Sequence, residues 1–170
     1  HMHAMVRYGN KAWAGLTAFS FTEFGDLRQG AVAGGAEPGR WDHRFTVRRV
    51  DGKDLIFKSN NPNLQQQSGY GQINLMQKLG RFGKNISHEL QFQFSRSSEV
   101  PRYDRLTDST ENGAPMYATW NYGPELFAQA AWQSQGVLGS VRFSQTMAWQ
   151  FAEESRIVRR LNQSLERTQR

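Results

Sequence analysis

Ser68-Gly-Tyr-Gly-Gln-Ile-Asn-Leu-Met-Gln-Lys-Leu79, then Gly80-Arg-Phe-Gly-Lys-Asn85, then Ile86-Ser-His-Glu-Leu-Gln-Phe-Gln-Phe-Ser95 is the stretch that decides the fold. Successive side chains of an extended chain point to opposite faces. In the first run Ile73, Leu75 and Leu79 fall on one face, and Tyr70, Gln72, Asn74 and Lys78 on the other. In the second run Ile86, His88, Leu90, Phe92 and Phe94 oppose Ser87, Glu89, Gln91, Gln93 and Ser95. Two alternating runs joined by a short polar turn predict an antiparallel hairpin.

The polar face is mostly Gln, Asn and Ser, with few charges. An ordinary one-sided sheet shows water many Lys and Glu instead. An uncharged or mildly charged inner wall with an apolar, aromatic outer wall is the pattern of a membrane-spanning β-barrel. Strands of about 12 residues, rising about 3.3 Å each and tilted roughly 40°, reach about 30 Å and cross the apolar band.

The segments 67–79, 88–107 and 120–124 together resemble the barrel of TonB-dependent outer-membrane receptors of the Bacteroidota type. The block Val100-Pro-Arg-Tyr-Asp-Arg-Leu106 is the most specific part, and Trp120-Asn-Tyr-Gly-Pro124 follows it. Upstream, Val50-Asp-Gly-Lys-Asp-Leu55 and Asn60-Asn-Pro-Asn63 resemble the family in order, as does Glu154-Ser-Arg156 downstream. The resemblance covers about residues 13–160. It implies an all-β chain, an antiparallel meander of about five to six long strands forming a section of a larger transmembrane barrel. It also implies the Gram-negative outer membrane as location, and nutrient uptake as the parent's function. The implied partners are outer-membrane lipid, the remaining barrel and plug of the parent, and a small nutrient ligand of unknown identity. Contact with TonB belongs to the plug, which these residues do not include. The strands are too few to close the family's barrel, so self-association through open strand edges is a further expectation.

Composition is consistent with this reading. Among 170 residues 38% are hydrophobic, and the mean hydropathy is −0.70. No apolar run is long enough for a helical span, a test that strands with one lipid-facing side escape. The formal charge of +6 arises from 21 Lys and Arg against 15 Asp and Glu. Its basic residues are spread among loops and interleaved with Asp42, Asp51, Asp54, Asp104 and Asp108, so a solvated loop surface outweighs a nucleic-acid groove. There is no Cys, hence no disulfide framework and no thiolate metal site. His1-Met-His-Ala-Met5 reads as a cloning remnant and is set aside from the fold.

The expected organisation is a remnant at 1–5, a barrel section over 6–152 with long loops at 23–67 and 97–123, and a loop or tail at 153–170. Within the first loop, residues 40–50 return as a ribbon, Asp51-Gly52 makes its turn, and Leu55-Ile-Phe57 leads back. Residues 30–39, with four Gly and a Pro, are a mobile loop tip. Short turns at 80–85 and 134–136 alternate with the long loops, as periplasmic turns alternate with extracellular loops. Further strands come from Trp13-Ala-Gly-Leu-Thr-Ala-Phe-Ser-Phe21, from 124–133 and from 138–151, with Trp132 and Trp149 placed for aromatic girdles. In the tail Ile157, Leu161 and Leu165 recur every four residues, which taken alone reads as an amphipathic helix. The resemblance implies a loop and the beginning of another strand there.

Candidate ligand-contacting residues lie in the second loop. Arg102, Tyr103, Asp104 and Arg105 offer polar recognition, and equally a loop that pins itself with an internal Arg–Asp pair. Tyr117, Trp120 and Tyr122 offer an aromatic surface for a ligand, and equally the girdle where a strand meets lipid headgroups. No catalytic residue, cofactor or metal is implied. His43 and His88 lack ligand spacing, Gly69-Tyr-Gly71 lacks the setting of a dinucleotide loop, and Glu153 and Glu154 point to opposite faces of an extended chain. The rival reading is a soluble β-sheet module that binds a ligand or carbohydrate through its Trp and Tyr residues. A third is a basic β-domain for nucleic acid.

Overall fold

A computed structural model describes residues 1–30 and 42–169. In chain order its elements are β1 (Met2–Gly9), β2 (Trp13–Phe24), β3 (Leu27–Arg28), β4 (Phe45–Val50), β5 (Lys53–Lys58), β6 (Leu64–Gln65), β7 (Tyr70–Phe82), β8 (Ile86–Ser97) and β9 (Val100–Pro101), then one helical turn, α1 (Tyr103–Leu106), and finally β10 (Tyr117–Tyr122), β11 (Leu126–Leu138), β12 (Val141–Glu153), β13 (Ser155–Arg160) and β14 (Glu166–Gln169). The chain divides into two compact units.

The first unit, His1–Thr22, Gln72–Ser97 and Glu125–Glu153, holds the long strands. They form a six-stranded sheet in the order β1-β2-β7-β8-β11-β12. The expected hairpin is present: β7 and β8 pair antiparallel from Gln72↔Ser97 through Leu79↔Leu90 to Phe82↔Ser87. Its turn is tighter than the sequence suggested, with the amide of Gly83 donating to the carbonyl of Ile86 at 2.9 Å. β11 pairs β8 from Leu126↔Arg96 to Gly136↔Ile86, and pairs β12 along its whole length. Between β2 and β7, Thr17 meets Gln77 while Ser20 meets Asn74, the crossing sense of antiparallel neighbours.

Directly paired residues share a face, so this register sorts the sheet. One face carries Leu75, Leu90, Phe92, Phe94, Trp132, Met147, Trp149 and Phe151. The other carries Gln72, Asn74, Gln91, Gln93 and Ser95. Side-chain hydrogen bonds tie the polar face across three strands: Gln72 Nε2 donates to Asn74 Oδ1 at 3.2 Å and to Ser95 Oγ at 3.1 Å, and Asn74 Nδ2 to Ser20 Oγ at 3.2 Å. The apolar face remains open, with Met147 66%, Trp149 58% and Leu90 54% exposed. β1 and β12 each have one neighbour only, so the sheet does not close among the described residues.

Residues 2–5, set aside as a remnant, lie in β1, which pairs β2 from Met2↔Phe21 to Gly9↔Ala14. Leaving them out of the fold was therefore incorrect. Alternation of Met2, Ala4, Val6 and Tyr8 with His3, Met5 and Arg7 marks the strand. Gly15 leaves room for the ring of its partner Tyr8, since a Cβ there would stand 2.2 Å from Tyr8 Cε2.

The second unit, Glu23–Gly71, Ser98–Pro124 and Glu154–Arg170, orders what the sequence presented as long loops and a tail. Its largest sheet runs β14-β13-β10-β9. The tail is thus strand, and the helical reading is corrected. Ser155, Ile157 and Arg159 are buried while Arg156 and Arg160 are exposed, a period of two set by pairing with β10. The predicted ribbon is β4 with β5, turning at Asp51 (φ 49°) and Gly52 (φ 78°), the left-handed pair that a two-residue I′ hairpin needs. The loop tip expected at 30–39 lies, from 31 onward, outside the described residues.

Carboxylates anchor this unit. Asp26 Oδ1 accepts the amides of Ser68 (2.9 Å) and Gly69 (3.0 Å). Asp54, whose side chain is fully buried, accepts from Arg159 at both oxygens, 2.6 Å at Oδ1, and from the amide of Asn162 at 2.7 Å. Burial alone raises the Asp54 carboxyl, but the hydrogen bonds from Arg159 and Asn162, with the charges of Arg159 and Arg49, outweigh it and hold the group below its ordinary value. Its stabilisation is therefore complete above the unfolded carboxylate range, about 3.9, and is lost as pH falls through the lower folded value. Asp54→Asn should cost about 3 kcal/mol, because Arg159 is left buried and unpaired, and should flatten the acid limb of stability against pH. Urea unfolding at a series of pH values reads both, and an unchanged acid limb would remove Asp54 from this role.

Candidate functional site

The block Val100-Pro-Arg-Tyr-Asp-Arg-Leu106 is positioned by backbone before any side chain acts. β9 pairs with the end of β10 through Pro101↔Asn121 and Val100↔Tyr122. The amide of Arg102 then donates to the carbonyl of Trp120 at 2.8 Å. The helical turn that follows buries Leu106 and leaves Arg102 at its N-cap. This places Arg102 beside two rings on β10, since Trp120 and Tyr122, two residues apart in a strand, point the same way.

Four of the seven candidates from the sequence meet here. Arg102 Nε donates to Asp104 Oδ1 at 2.9 Å, and Nη2 bonds Oδ2 of the same carboxylate, a two-pronged pair. Nη1 donates to the hydroxyl of Tyr122 at 3.4 Å. The guanidinium carbon lies 4.9 Å from the Trp120 ring centre and 5.8 Å from that of Tyr122, within cation–π range. The rings stand edge to face, 5.0 Å apart at 84°. Trp120 is buried and Tyr122 half-buried.

The other three are placed as follows. Arg105 turns to Asp108, with Nη1 and Oδ2 at 3.3 Å. Tyr117 begins β10 opposite Arg160, and Tyr103 opens the helical turn. Both basic residues of the block thus pair with carboxylates of the same loop.

The electrostatics of the cluster follow from that pairing. The hydrogen bonds from Arg102 hold the Asp104 carboxyl below its ordinary value against the opposing effect of burial, and Asp104 in turn raises Arg102. Asp104 is consequently a charged acceptor at neutral pH with both oxygens engaged, poorly suited to take a proton from a substrate. Chemically the cluster is a nearly neutral group of aromatic and polar side chains. His43 is buried on another part of this unit. Burial lowers its pKa, opposed by the charge of Asp26 and the nearby side chain of Gln65. Among the described residues no group of three or more His, Asp or Glu side chains is placed to hold a metal ion.

A different feature escaped the sequence reading. A cleft of ≈ 450 Å³ in the same unit is lined by residues of β4, β9, β10 and β13, among them Arg49 and Thr119, and by Gln67, Glu99 and Leu106 outside the strands. Arg49 and Glu99 lie fifty positions apart in the chain, and only the packing of β4 against β10, whose end pairs with β9 just after Glu99, brings them to one cavity. Comparison with protein-family models, curated proteins and solved structures returns no match.

The cluster predicts a measurable coupling. Arg102→Ala should cost about 1–2 kcal/mol, below the ~1.5–3 of a fully buried charged hydrogen bond because the pair is part-exposed. In a double-mutant cycle with Asp104→Ala, most of that loss should be shared. Additive losses would mean that the two side chains act independently.

Proposed function

We propose that this chain is a section of the barrel wall, with outer loops, of a TonB-dependent outer-membrane transporter of the Bacteroidota type, serving nutrient uptake. The observation that carries this reading is the two-faced sheet. Its long strands expose Leu, Phe, Met and Trp on one side and a hydrogen-bonded Gln, Asn and Ser surface on the other. In water the first face is a large uncompensated apolar surface; in a bilayer it is the lipid contact, and the second is the lumen wall. Strands of 12 and 13 residues suit the span.

Connection lengths support the same reading. The three hairpin turns, 10–12, 83–85 and 139–140, are short, whereas the connections 25–69 and 98–125 are long. Short turns belong to the periplasmic side and long connections to the exterior. The outer loops would then meet the nutrient first, with the surface around Arg102, Asp104 and Tyr122 available to it. Energy coupling would reside in the plug and its contact with TonB. The transported ligand is not specified by these residues.

Spin labels test the assignment in liposomes. Labels replacing Leu90 and Trp149 should respond to lipid-soluble quenchers, and labels replacing Asn74 and Gln93 to aqueous ones. The reverse pattern, or a monodisperse water-soluble monomer in sedimentation without detergent, would favour a soluble binding module and end the transporter reading.

A further inference from the structure

The cleft of ≈ 450 Å³ falls in the size range of sites for small organic ligands, about 300–1,000 Å³. Val47, Leu106 and Ala118 give it apolar wall, and Arg49, Glu99 and Thr119 give it polar groups. What matters is which of its charges are already committed. Arg159 also lines the cleft, but its guanidinium is engaged by both oxygens of buried Asp54. Arg49 approaches the same carboxylate only to 3.9 Å, outside hydrogen-bond reach, and its side chain is 47% exposed. Asp54 has its donors without it. The Arg49 charge is therefore open to a further anion.

Glu99 presents the opposite case. Its Oε2 accepts from Asn121 Nδ2 at 2.6 Å, a neutral donor that orients the carboxylate without cancelling its charge. Among the described residues no cation is paired with it. One cavity thus holds a guanidinium that meets Asp54 only at 3.9 Å and makes no hydrogen bond to it, an oriented carboxylate with no cation paired to it among the described residues, and apolar wall. A monoanion would satisfy the first and be repelled by the second; a neutral sugar would leave the Glu99 carboxylate without a counter-charge. A ligand with its own ammonium and carboxylate satisfies both.

We infer that this cleft binds α-amino carboxylates, amino acids or short peptides with free termini, the carboxylate on Arg49 and the ammonium on Glu99. A small aliphatic side chain would contact Val47, Leu106 and Ala118. The inference goes beyond the transporter reading and does not require it, because the cleft is built within one unit of this chain.

Isothermal titration of the purified 170-residue chain, in detergent and in buffer, tests it with the dipeptide Ala-Leu and its N-acetylated and C-amidated forms. Ala-Leu should bind with Kd at or below about 1 mM, and each blocked form should bind at least about tenfold more weakly. Glu99→Gln keeps an acceptor for Asn121, and Arg49→Gln leaves Asp54 to Arg159, so both variants should fold. Glu99→Gln should abolish the penalty of acetylation, and Arg49→Gln that of amidation. The blocked peptides test the wild-type chain even if a variant misfolds. Equal affinity for free and blocked peptides, or no heat with Ala-Leu at about 5 mM, would overturn the inference, while leaving the membrane placement to be judged from the spin labels.

Discussion

Register is the constraint on which the long-stranded unit depends. From β7 through β8 and β11 to β12, residues pair without a bulge, so face identity passes unbroken from Leu75 to Phe94 to Ala128 to Phe151. A slip of one residue at any of these seams would turn every subsequent aromatic to the other side. The backbone pairing itself carries no sequence preference. What selects the register is cross-strand contact, polar on one face through Asn74 and Gln72 with Ser95, and apolar on the other through Leu79 with Leu90.

In the second unit short carboxylates do the work that long ladders do in the first. Asp26 gathers amides from Ser68 and Gly69, Asp54 gathers Arg159 and the amide of Asn162, and Asp104 gathers the fork of Arg102. Asp26 and Asp54 join parts of the chain remote in sequence, Asp54 from β5 to β13 and the turn after it, whereas Asp104 holds a residue two positions away. An irregular segment has few apolar side chains to bury, and its amides need acceptors. A carboxylate supplies several acceptor sites at once.

Much of the sheet was legible because alternation is a strong local signal. The hairpin of β7 and β8, the strands β11 and β12, and the Asp51-Gly52 turn are marked by residue order, but the turn expected at 134–136 lies inside β11, where Ser134 to Gly136 pair with both neighbours, and the chain reverses at 139–140 instead. The tail was not. Ile157, Leu161 and Leu165 are four apart, and four is a near-whole turn of helix as well as two full periods of strand, so the spacing does not discriminate. The burial of Ser155 and Arg159, which decides for strand, depends on β10 and on Asp54, both remote in sequence. For the candidate site, the sequence located Arg102, Asp104, Trp120 and Tyr122 and raised a self-pinning Arg–Asp pair, which is present. The cavity containing Arg49 and Glu99 has no sequence signature, because its walls come from five separated segments.

The two long connections, 25–69 and 98–125, also bear on how the chain finds its structure. The hairpins β1–β2, β7–β8 and β11–β12 bring together neighbours in sequence and can form on the microsecond scale. Joining β2 to β7, and β8 to β11, requires closure of each long connection first, and such non-local pairing is slow. Closure entropy grows only logarithmically, about 0.6 kcal/mol per doubling, so the two seams start with similar handicaps. Three early hairpins would thus wait on two late seams, and until those close each hairpin presents two unpaired edges. The period of greatest exposure to wrong partners lies between these steps.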